Sequence, residues 1–524
     1  MYIRSTKTLP MLVKTFGSAV YGVEAIRITV EVNVDNKGKN YYIVGLPDNA
    51  VKESLQRVES AIKSIDYYMP RTKLVVNLAP ADIKKSGSAF DLPIAIGTLG
   101  ATDQLDNPER LENFVIMGEL SLDGTVRPIK GALPIAIQAR KEGFEGLIVP
   151  AANAREAAMV NNLKVYAVEH INDVIGFFKN EKSLLPTIVN TREEFAYAQS
   201  SFDIDFCDVK GQENIKRALE IAAAGGHNAI LIGPPGAGKT MLAKRLPTIL
   251  PPLTLLEALE TTKIHSVAGK LPENATLVSR RPFRSPHHTI SDVALVGGGG
   301  NPQPGEISLA HNGVLFLDEL PEFKRTVLEV MRQPMEERKV TISRAKVALD
   351  FPASFMLIAS MNPCPCGYFN HPERECTCGP GVVQKYLSKI SGPLLDRIDL
   401  HVEVTPVAFS ELSSINAYEK SEKIRERVIK ARAIQEERYK LLEGVYANAQ
   451  MSSKTLKEIC TINTAGQNLL KIAMQKLNLS ARAYDRILKV SRTIADLAGS
   501  EDIKPEFLAE AIQYRSLDRE GWGG

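Results

Sequence analysis

Apolar and polar positions alternate along the first third of the chain with two different periods. Short apolar runs such as AIRITVEVNV, KLVVNLAP and GLIVP are rich in β-branched residues and are typical of β-strands. Between these runs the stretch NAVKESLQRVESAIKSI has a helical period. Its apolar positions are Val51, Leu55, Val58 and Ile62. The two periods together predict an N-terminal α+β domain over residues 1–180.

The pattern changes twice further along the chain. Residues 181–201 lose their periodicity and include a proline, which predicts a linker. From residue 202 to residue 406, apolar runs such as AILIG, GVLFLDE and SFMLIASMNP alternate with helical segments, as in a parallel sheet with crossover helices. Residues 407–524 have 3.6-residue spacing and almost no strand character. We therefore expect a multidomain protein with an α+β domain, a central α/β domain and a C-terminal α-helical lid.

Composition narrows the class of protein without indicating a partner. The 524 residues are 44% hydrophobic and 24% charged, which excludes disorder or a fibrous fold for the whole chain. A net charge of +3, from 64 basic and 61 acidic residues, is too small for the whole surface to bind a polyanion. Any contact with nucleic acid must then come from local basic patches.

The N-terminal segment carries no targeting pattern. No window has 18 consecutive apolar residues, and MYIRSTKTLPMLVKTF lacks an apolar signal core. We expect a cytoplasmic protein with no membrane partner. Residues 1–10 carry neither strand nor helix periodicity, so Met11 is an alternative start.

The stretch AILIGPPGAGKTMLAKRL has the order that phosphate binding requires: an apolar strand, a glycine-rich turn and an amphipathic helix. Glycines let backbone N–H groups turn toward phosphates, Lys239 is placed to reach the outer phosphates, and the Thr240 hydroxyl is placed for Mg²⁺. The predicted nucleotide-binding residues here are Gly233, Pro234, Pro235, Gly236, Ala237, Gly238, Lys239, Thr240 and Met241. ATP and Mg²⁺ are the expected ligands.

Three polar positions follow later apolar strands. GVLFLDE ends in Asp318, a candidate Mg²⁺ ligand through water, and Glu319, a candidate base for the attacking water. Asn362 ends the next strand and is placed to orient the same water. Arg397, in GPLLDRID, lies on a short Gly/Pro-flanked segment and is a candidate to reach the γ-phosphate of a neighbouring subunit. The pattern predicts an ATPase.

These motifs resemble a known family. GPPGAGKT, GEISLAHNGVLFLDELPEF, MNPCPCGY, SGPLLDRIDLHVEV and LSARAYDRILKVSRTIADL are similar to the YifB/ComM family of magnesium-chelatase-like AAA+ ATPases, in the same order from Met11 onward. The resemblance implies a ring, with a homo-hexamer as the expected assembly, and a role in DNA branch migration during recombination and natural transformation. It also implies residue roles. These are Lys239 and Thr240 as Walker A, Asp318 and Glu319 as Walker B, Asn362 as sensor 1, Arg397 as a trans arginine finger, and Arg482 as sensor 2, with Arg486 one turn away.

Two basic segments are candidates to contact DNA. SRRPFRSPHHTI lies within residues 264–304 and resembles a basic loop with an aromatic residue, Phe283. Its candidate DNA contacts are Arg280, Arg281 and Arg284. The alternative is a structural insert that braces the ring interface. The stretch ERKVTISRAKVALDFPASF predicts a β-hairpin, and we expect Arg344 and Lys346 at its turn to contact phosphates in a central pore.

Four of the six cysteines form two C-x-C units, Cys364/Cys366 and Cys376/Cys378, nine residues apart. Four thiolates at this spacing are a candidate tetrahedral Zn²⁺ site, with His371 as a spare donor. The alternative is a set of reduced thiols in a cytoplasmic loop. A bound metal here would brace the strand that ends at Asn362.

The N-terminal domain resembles the catalytic fold of Lon proteases, the ribosomal S5 domain 2-like architecture, in LAPADIKKSGSAFDLPIAIG and MGELSLDGTVRPIKGALPIAIQARKEGFEGLIVP. Proteolysis in that fold uses a Ser/Lys dyad. The match places Ala89, or the adjacent Ser88, at the nucleophile position and Leu133 at the lysine position, whereas the nearby Lys130 falls at a glycine position. We therefore predict a platform without the catalytic dyad.

The sequence leaves two function classes open. The first is a DNA-directed motor, a helicase or branch-migration factor. The second keeps the same ATPase but acts on a protein, as a chelatase-type or unfoldase-type remodeller. The broken dyad weakens a protease-linked unfoldase, and a chelatase motor subunit is not expected to carry a Lon-like domain.

Overall fold

The computed structural model describes residues 12–515 except 36, 191–194, 196–198, 200–201, 273–276, 300–301, 345–346, 370, 372, 380, 407–417 and 443. The N-terminal domain contains nine strands among these residues: β1 (Leu12–Tyr21), β2 (Glu24–Val34), β3 (Tyr41–Val44), β4 (Leu74–Ala79), β5 (Phe114–Ile116), β6 (Glu119–Leu120), β7 (Val126–Arg127), β8 (Gly146–Pro150) and β9 (Lys164–Val168). Its helices are α1 (Asn49–Ser64), α2 (Asp91–Ala101), α3 (Ala132–Lys141), α4 (Ala151–Ala157) and α5 (Ile171–Phe178).

Seven of these strands form a mixed sheet in the order β3-β4-β2-β1-β5-β8-β9. Strands β1, β2 and β4 pair antiparallel, whereas β5, β8 and β9 run parallel to one another. The alternation in β2 buries Ile28, Val30 and Val32 on one face. Helix α1 begins at the N-cap Asp48, whose carboxylate accepts a hydrogen bond from the Val51 N–H. The predicted mixture of strands and helices is present here.

The chain continues along this sheet into the predicted linker, since the Thr187 N–H donates to the Val165 carbonyl at 2.8 Å. The N-terminal domain also packs directly on the central domain. Its buried cluster includes Leu253 and Ala258 of the central domain. In addition, the Gly131 N–H donates to the Ser266 carbonyl at 3.1 Å. A shared apolar core and backbone hydrogen bonds therefore join the two domains.

The central domain begins with a 3₁₀ turn at Phe206–Asp208 and contains β10 (Ala229–Ile232), β11 (Phe283–Arg284), β12 (Gly297–Gly298), β13 (Gln303–Pro304), β14 (Val314–Leu317), β15 (Lys339–Arg344), β16 (Val347–Pro352), β17 (Met356–Met361) and β18 (Leu400–Glu403). Its helices are α6 (Glu213–Gly225), α7 (Lys239–Arg245), α8 (Leu255–Ala268), α9 (Asp292–Val296), α10 (Glu306–Leu309), α11 (Arg325–Val330), α12 (Arg332–Glu337), α13 (Val382–Leu387) and α14 (Gly392–Leu395).

A five-stranded sheet in the order β11-β14-β17-β10-β18 forms the core of this domain, and all its neighbouring strands are parallel. Strand β10 is apolar throughout because both of its faces are covered. Leu231 packs into one buried cluster, while Ile230 and Ile232 pack into another on the opposite face. This sheet confirms the predicted α/β core. The carboxyl ends of β10, β14 and β17 all lie at one edge.

Strands β15 and β16 form the predicted hairpin, with Arg344 and Val347 as its closing pair. The helical C-terminal region is also confirmed. It contains α15 (Ser421–Tyr439), α16 (Ser453–Ile459), α17 (Thr464–Lys476), α18 (Ala481–Leu497) and α19 (Pro505–Gln513). Helices α15 and α18 both pack against α6, and one apolar cluster runs through the sheet and these helices. Within the described part of the chain, no helix combines the length and apolar character that a membrane crossing requires.

Candidate nucleotide-binding site

The glycine-rich turn follows β10 and leads directly into α7. Gly236 and Gly238 have φ angles of +79° and +82°, in the left-handed region that side chains with a Cβ rarely adopt. At Gly233 a Cβ would lie 2.3 Å from the Val404 carbonyl oxygen, so the backbone approaches β18 too closely for any side chain. The glycine positions in this turn therefore have a geometric cause, and backbone N–H groups at the start of α7 form a site for anions.

Lys239 is the first residue of α7, and its side chain folds back over the turn. Its Nζ donates to the carbonyl oxygens of Gly233 and Pro234 at 2.7 and 2.9 Å, and to Oδ1 of Asn362 at 3.1 Å. Burial lowers the pKa of Lys239, although Asp318 and Glu319 raise it. The structure thus brings together two residues that the sequence predicted separately, Lys239 and Asn362.

Asp318 follows β14 and lies against α7. Its Oδ2 accepts a hydrogen bond from the Thr240 hydroxyl at 2.7 Å, and its Oδ1 accepts one from the Ser360 hydroxyl. A carboxylate and a hydroxyl beside a phosphate-binding turn are the oxygen donors that Mg²⁺ prefers, so these two residues fit the ion. Ser360 was not predicted. Ser360 lies on β17 beside the end of β14, and this proximity follows from the pairing of the two strands, which the sequence alone does not show.

Glu319 has a φ of +55°, which is uncommon for a residue other than glycine. Its carboxylate is half exposed, and Oε2 lies 3.6 Å from Nδ1 of His288. His288 belongs to the stretch interpreted from sequence as a DNA-binding loop. It reaches Glu319 because β11 pairs in parallel with β14, so the residues that follow both strands meet at one edge.

Arg397 lies at the opposite edge of the sheet. It precedes β18, whose first residue Leu400 pairs with Ala229 at the start of β10, whereas the glycine-rich turn follows the end of β10. Its guanidinium forms an ion pair with Glu336, and its buried Nε has no hydrogen-bond partner among the described residues. A cavity of about 170 Å³ adjoins it. Its lining residues are Glu336, Asp396, Arg397, Ser453, Arg482, Asp485, Arg486 and Lys489.

Arg482 lies in the first turn of α18 and is placed beside Arg397 rather than beside Lys239. Its Nη1 lies 2.6 Å from Oδ2 of Asp396, the residue before Arg397, and two-thirds of its side chain is exposed. Arg486, one turn later, points to Asp399 instead. Both candidates for the sensor 2 position therefore lie at the edge that carries Arg397.

Asp399 forms a buried polar cluster between the sheet and the C-terminal helices that the sequence did not predict. Its Oδ2 accepts from Nδ1 of His227 at 3.0 Å, and its Oδ1 lies 2.9 Å from Nη1 of Arg486. Burial raises the pKa of Asp399, but Arg486 and His227 lower it well below its usual range. Burial lowers the pKa of His227 despite Asp399, and its Nε2 lies 2.8 Å from the Thr493 hydroxyl. One carboxylate thus connects α18 to the segment that carries Arg397.

The arginines predicted to contact DNA near Phe283 have partners within the chain. Arg281 donates to the Asn312 carbonyl at 2.8 Å and pairs with Glu257, and Arg284 forms two hydrogen bonds with Glu306 at 2.6 and 2.7 Å. Arg280 lies over the ring of Phe202 at 5.2 Å. Phe283 itself stacks on Phe316, with ring centroids 5.9 Å apart. This geometry matches the structural alternative for the segment.

The tip of the β15–β16 hairpin carries the other candidate DNA contacts. Lys346 and the side chain of Arg344 lie outside the described residues. The antiparallel backbone pairing of β15 and β16 is described up to Arg344 and Val347.

The four clustered cysteines converge, and their Sγ atoms all lie within 4.8 Å of one another. Desolvation would raise the pKa of Cys366, but hydrogen bonds from the backbone N–H groups of Tyr368 and Thr377 and from the Cys364 thiol lower it to about 5. Cys364 is buried and the other three are half-buried. Such a group is suited to a soft metal ion such as Zn²⁺.

The N-terminal domain has no Ser/Lys pair at the predicted dyad position. The Ser88 hydroxyl donates to the Glu119 carboxylate, and Leu133 is fully buried. The alkyl chain of Lys130 packs instead against the central domain, where a Cβ added to Gly269 would lie 2.8 Å from Lys130 Cε. Ala89 is half-buried beside this region. The contact of Lys130 therefore belongs to the packing between the N-terminal and central domains.

Comparisons with known proteins cover most of the chain. A family model described as magnesium chelatase, subunit ChlI, matches residues 205–412, a second, subunit ChlI of Mg-chelatase, matches 30–153, and its C-terminal counterpart matches 418–515. Competence protein ComM of Haemophilus influenzae is 44% identical over 506 residues, 96% of this chain and 97% of that protein. YifB of Salmonella typhimurium is 42% identical over 508 residues, 96% of each chain. Lon protease 2 of Bacillus subtilis is 33% identical over 154 residues, 27% of this chain.

Proposed function

Because this chain belongs to the YifB/ComM family of magnesium-chelatase-like AAA+ proteins, we propose that it is an ATP-hydrolysing ring motor that acts on DNA. We propose a helicase or branch-migration factor in recombination or transformation. The observation that carries the ATPase part is the convergence of Lys239, Asp318 and Asn362 at the carboxyl edge of one parallel sheet.

Each residue at this edge has a separate role in the proposal. Lys239 and the N–H groups of the turn from Gly233 to Gly238 bind the phosphates. Thr240 and Asp318 would hold Mg²⁺, which when bound offsets phosphate charge. Glu319 accepts a proton from the attacking water, and Asn362 orients that water.

The arginines at the opposite edge support a site shared between subunits. Arg397 and Arg482 are separated from their own phosphate-binding turn by the length of β10, whose four residues span about 13 Å. A guanidinium at this edge is placed to meet the phosphates of an adjacent subunit in a head-to-tail ring. We propose a homo-hexamer with Arg397 as the trans finger and Arg482 beside it.

DNA as the substrate is supported by the family resemblance and by the hairpin. A relative is named a competence protein, and the strands of the hairpin pair up to Arg344 and Val347, so that Lys346 lies between the two strands in the sequence. We propose that Arg344 and Lys346 contact the phosphate backbone in the pore. Arg280, Arg281 and Arg284 were also predicted to contact DNA, but their partners within the chain favour the hairpin as the main contact.

A protein-directed motor is the second candidate. The matching family models are named after a magnesium chelatase subunit, and part of the chain is similar to Lon protease 2. We propose that the N-terminal domain has the Lon-like fold but serves as a platform. Ser88 hydrogen-bonds to Glu119, and Leu133 occupies the position predicted for the dyad lysine. In this alternative the ATPase site is the same and only the substrate in the pore differs.

The deciding experiment is the steady-state ATPase rate with Mg²⁺, alone and with single-stranded, duplex and four-way-junction DNA, at low and moderate salt. The Lys239→Ala variant controls for contaminating ATPases. A DNA-directed motor should be stimulated by DNA, and the stimulation should weaken as salt rises. An ATPase rate that none of the DNA substrates changes would favour the protein-directed motor. An ATPase rate no higher than that of Lys239→Ala would refute both the DNA-directed and the protein-directed motor.

A further inference from the structure

We propose that Cys364, Cys366, Cys376 and Cys378 bind one Zn²⁺ ion, and that the loop closed by this metal holds the phosphate-binding turn in the shape that ATP requires. The metal site stands on the cysteine geometry alone. Only its effect on ATP rests on the proposed function.

The sulfur positions match a tetrahedral site. Cys364 Sγ lies 3.3 Å from Cys366 Sγ and 3.7 Å from Cys376 Sγ, and the last two are 3.5 Å apart. Four thiolates at about 2.3 Å from one Zn²⁺ ion lie roughly 3.8 Å from one another. All four thiols are free, and the sulfur separations are far longer than the roughly 2.05 Å of a disulfide. With four protein ligands the site would be closed, which is typical of structural zinc.

The loop that these cysteines close touches the phosphate-binding turn directly. Gly367 follows the first C-x-C unit and has a φ of +86°, and a Cβ added there would lie 2.4 Å from Cδ of Pro235. The Gly367 N–H donates to the Cys364 carbonyl at 3.0 Å, so the turn that makes this contact begins at a proposed ligand. The backbone at Gly367 and the ring of Pro235 are therefore in contact, so the position of the cysteine loop limits the position of the turn.

Two further contacts join the same segment to the turn. The Gly233 N–H donates to the Met361 carbonyl at 3.2 Å, and Lys239 Nζ donates to Asn362 Oδ1 at 3.1 Å. Only Pro363 separates Asn362 from Cys364. The segment that enters the cysteine loop thus meets the turn at its first residue, in its middle and at its lysine.

The loop has little apolar packing of its own to hold this position. Between Met361 and Val382, the described residues form neither helix nor strand, and most of those after Cys364 are half-buried or exposed. An irregular loop without a buried core gains order mainly from a cross-link, since chain entropy opposes its closure. Zn²⁺ would supply that cross-link. Because Gly367 contacts Pro235, a loop restrained by the metal would also restrain the backbone of the phosphate-binding turn.

The metal itself is tested by zinc analysis of protein purified without chelator, and by the visible spectrum after exchange with Co²⁺. We expect one zinc per chain and the intense absorption of tetrahedral Co²⁺ bound by four thiolates. The Cys376→Ser/Cys378→Ser double variant should lose the metal, whereas Cys207→Ser, which changes an isolated cysteine, should keep it. No zinc in the parent protein together with no Co²⁺ binding would overturn the proposal.

The effect on the turn is tested by hydrogen exchange of residues 233–241 and by binding of a fluorescent ATP analogue, before and after a zinc-selective chelator with Mg²⁺ restored. We expect faster exchange and at least tenfold weaker binding without zinc. Gly367→Ala should keep zinc but weaken binding similarly, while Gly379→Ala, with negative φ and nothing within 4 Å of its added Cβ, should change neither. Unchanged exchange and binding after zinc loss would overturn the coupling. Zinc-loaded parent protein that binds no nucleotide would instead refute the ATPase proposal.

Discussion

Mixing two inactive variants tests whether neighbouring subunits share the ATPase site. Lys239→Ala removes the phosphate-binding ammonium at the carboxyl edge of the sheet, and Arg397→Ala removes the guanidinium at the amino edge. Because the two residues lie at opposite edges, a ring places the Arg397 of one subunit against the phosphates of the next. Each variant alone should be nearly inactive, since loss of a trans arginine lowers kcat by about 10³–10⁵, or about 4–7 kcal/mol.

The expected rate of the mixture follows from counting interfaces. In a random equal mixture, an interface is intact only when the subunit that binds ATP carries Lys239 and its neighbour carries Arg397. This holds at about one quarter of the interfaces of a head-to-tail ring, so the mixture should recover up to about one quarter of the parent rate. The assay is steady-state ATP hydrolysis at saturating Mg²⁺-ATP, with mixed assembly verified by native mass spectrometry of size-tagged subunits.

A second mixture provides the matched control. Parent protein mixed equally with a Lys239→Ala/Arg397→Ala double variant also leaves about one quarter of the interfaces intact if the site is shared. If each subunit used its own arginine, this control would keep about half of the parent rate, while the two single variants together would stay inactive. Equal recovery in both mixtures supports sharing. An inactive first mixture beside a half-active control would refute it.

Three further predictions concern the site, the hairpin and the buried cluster. Glu319→Gln should bind ATP within about twofold of the parent but hydrolyse it about 10²–10⁴-fold more slowly, because it removes the proton acceptor; normal turnover would contradict the assignment. The Arg344→Ala/Lys346→Ala double variant should lose the stimulation of its ATPase rate by DNA but keep the parent's basal ATPase rate, both measured across a salt series. Stimulation equal to that of the parent would exclude the hairpin as the DNA contact. Asp399→Asn should lower the free energy of unfolding by about 3–5 kcal/mol at pH 7, because Arg486 loses its counter-charge. The pKa of Asp399 is depressed in the folded protein, so its stabilising effect is lost as the pH falls below about 4. In urea unfolding, the difference in unfolding free energy between the parent and Asp399→Asn should therefore become smaller below about pH 4. An Asp399→Asn variant with the urea midpoint of the parent at pH 7 would contradict the prediction.

The residues at the carboxyl edge could be predicted from the sequence because Asp318 and Asn362 immediately follow apolar strands and Lys239 follows the glycine-rich turn after another. Lys239, Asp318 and Asn362 stand after β10, β14 and β17, and parallel strands bring their carboxyl ends to the same edge. Chain order alone does not reveal that β17 lies between β10 and β14. The contact of Ser360 with Asp318 depends on the pairing of β17 with β14, and that of His288 with Glu319 on the pairing of β11 with β14, so neither is visible from chain order.

Charged partners could not be predicted because they are distant in sequence. Arg281 pairs with Glu257 and Arg284 with Glu306, across 24 and 22 positions. A cluster of arginines in a sequence has the same appearance whether it faces DNA or neutralises carboxylates within the fold. Partly buried guanidinium groups need paired acceptors, and the edge strand β11 places Arg284 where the Glu306 carboxylate supplies them.

The buried carboxylate of Asp399 shows how the helical lid and the arginine edge are connected. Asp399 lies two residues after Arg397 and pairs with Arg486 of α18, while Arg482 of the same helix pairs with Asp396. Helix α18 therefore forms ion pairs with the residues on both sides of Arg397 in the chain. Removing one partner of such a buried pair costs about 3–5 kcal/mol, so the lid and this segment should move together rather than separate. A change in lid angle within one subunit would then reposition Arg397, which we propose completes the ATPase site of the neighbouring subunit.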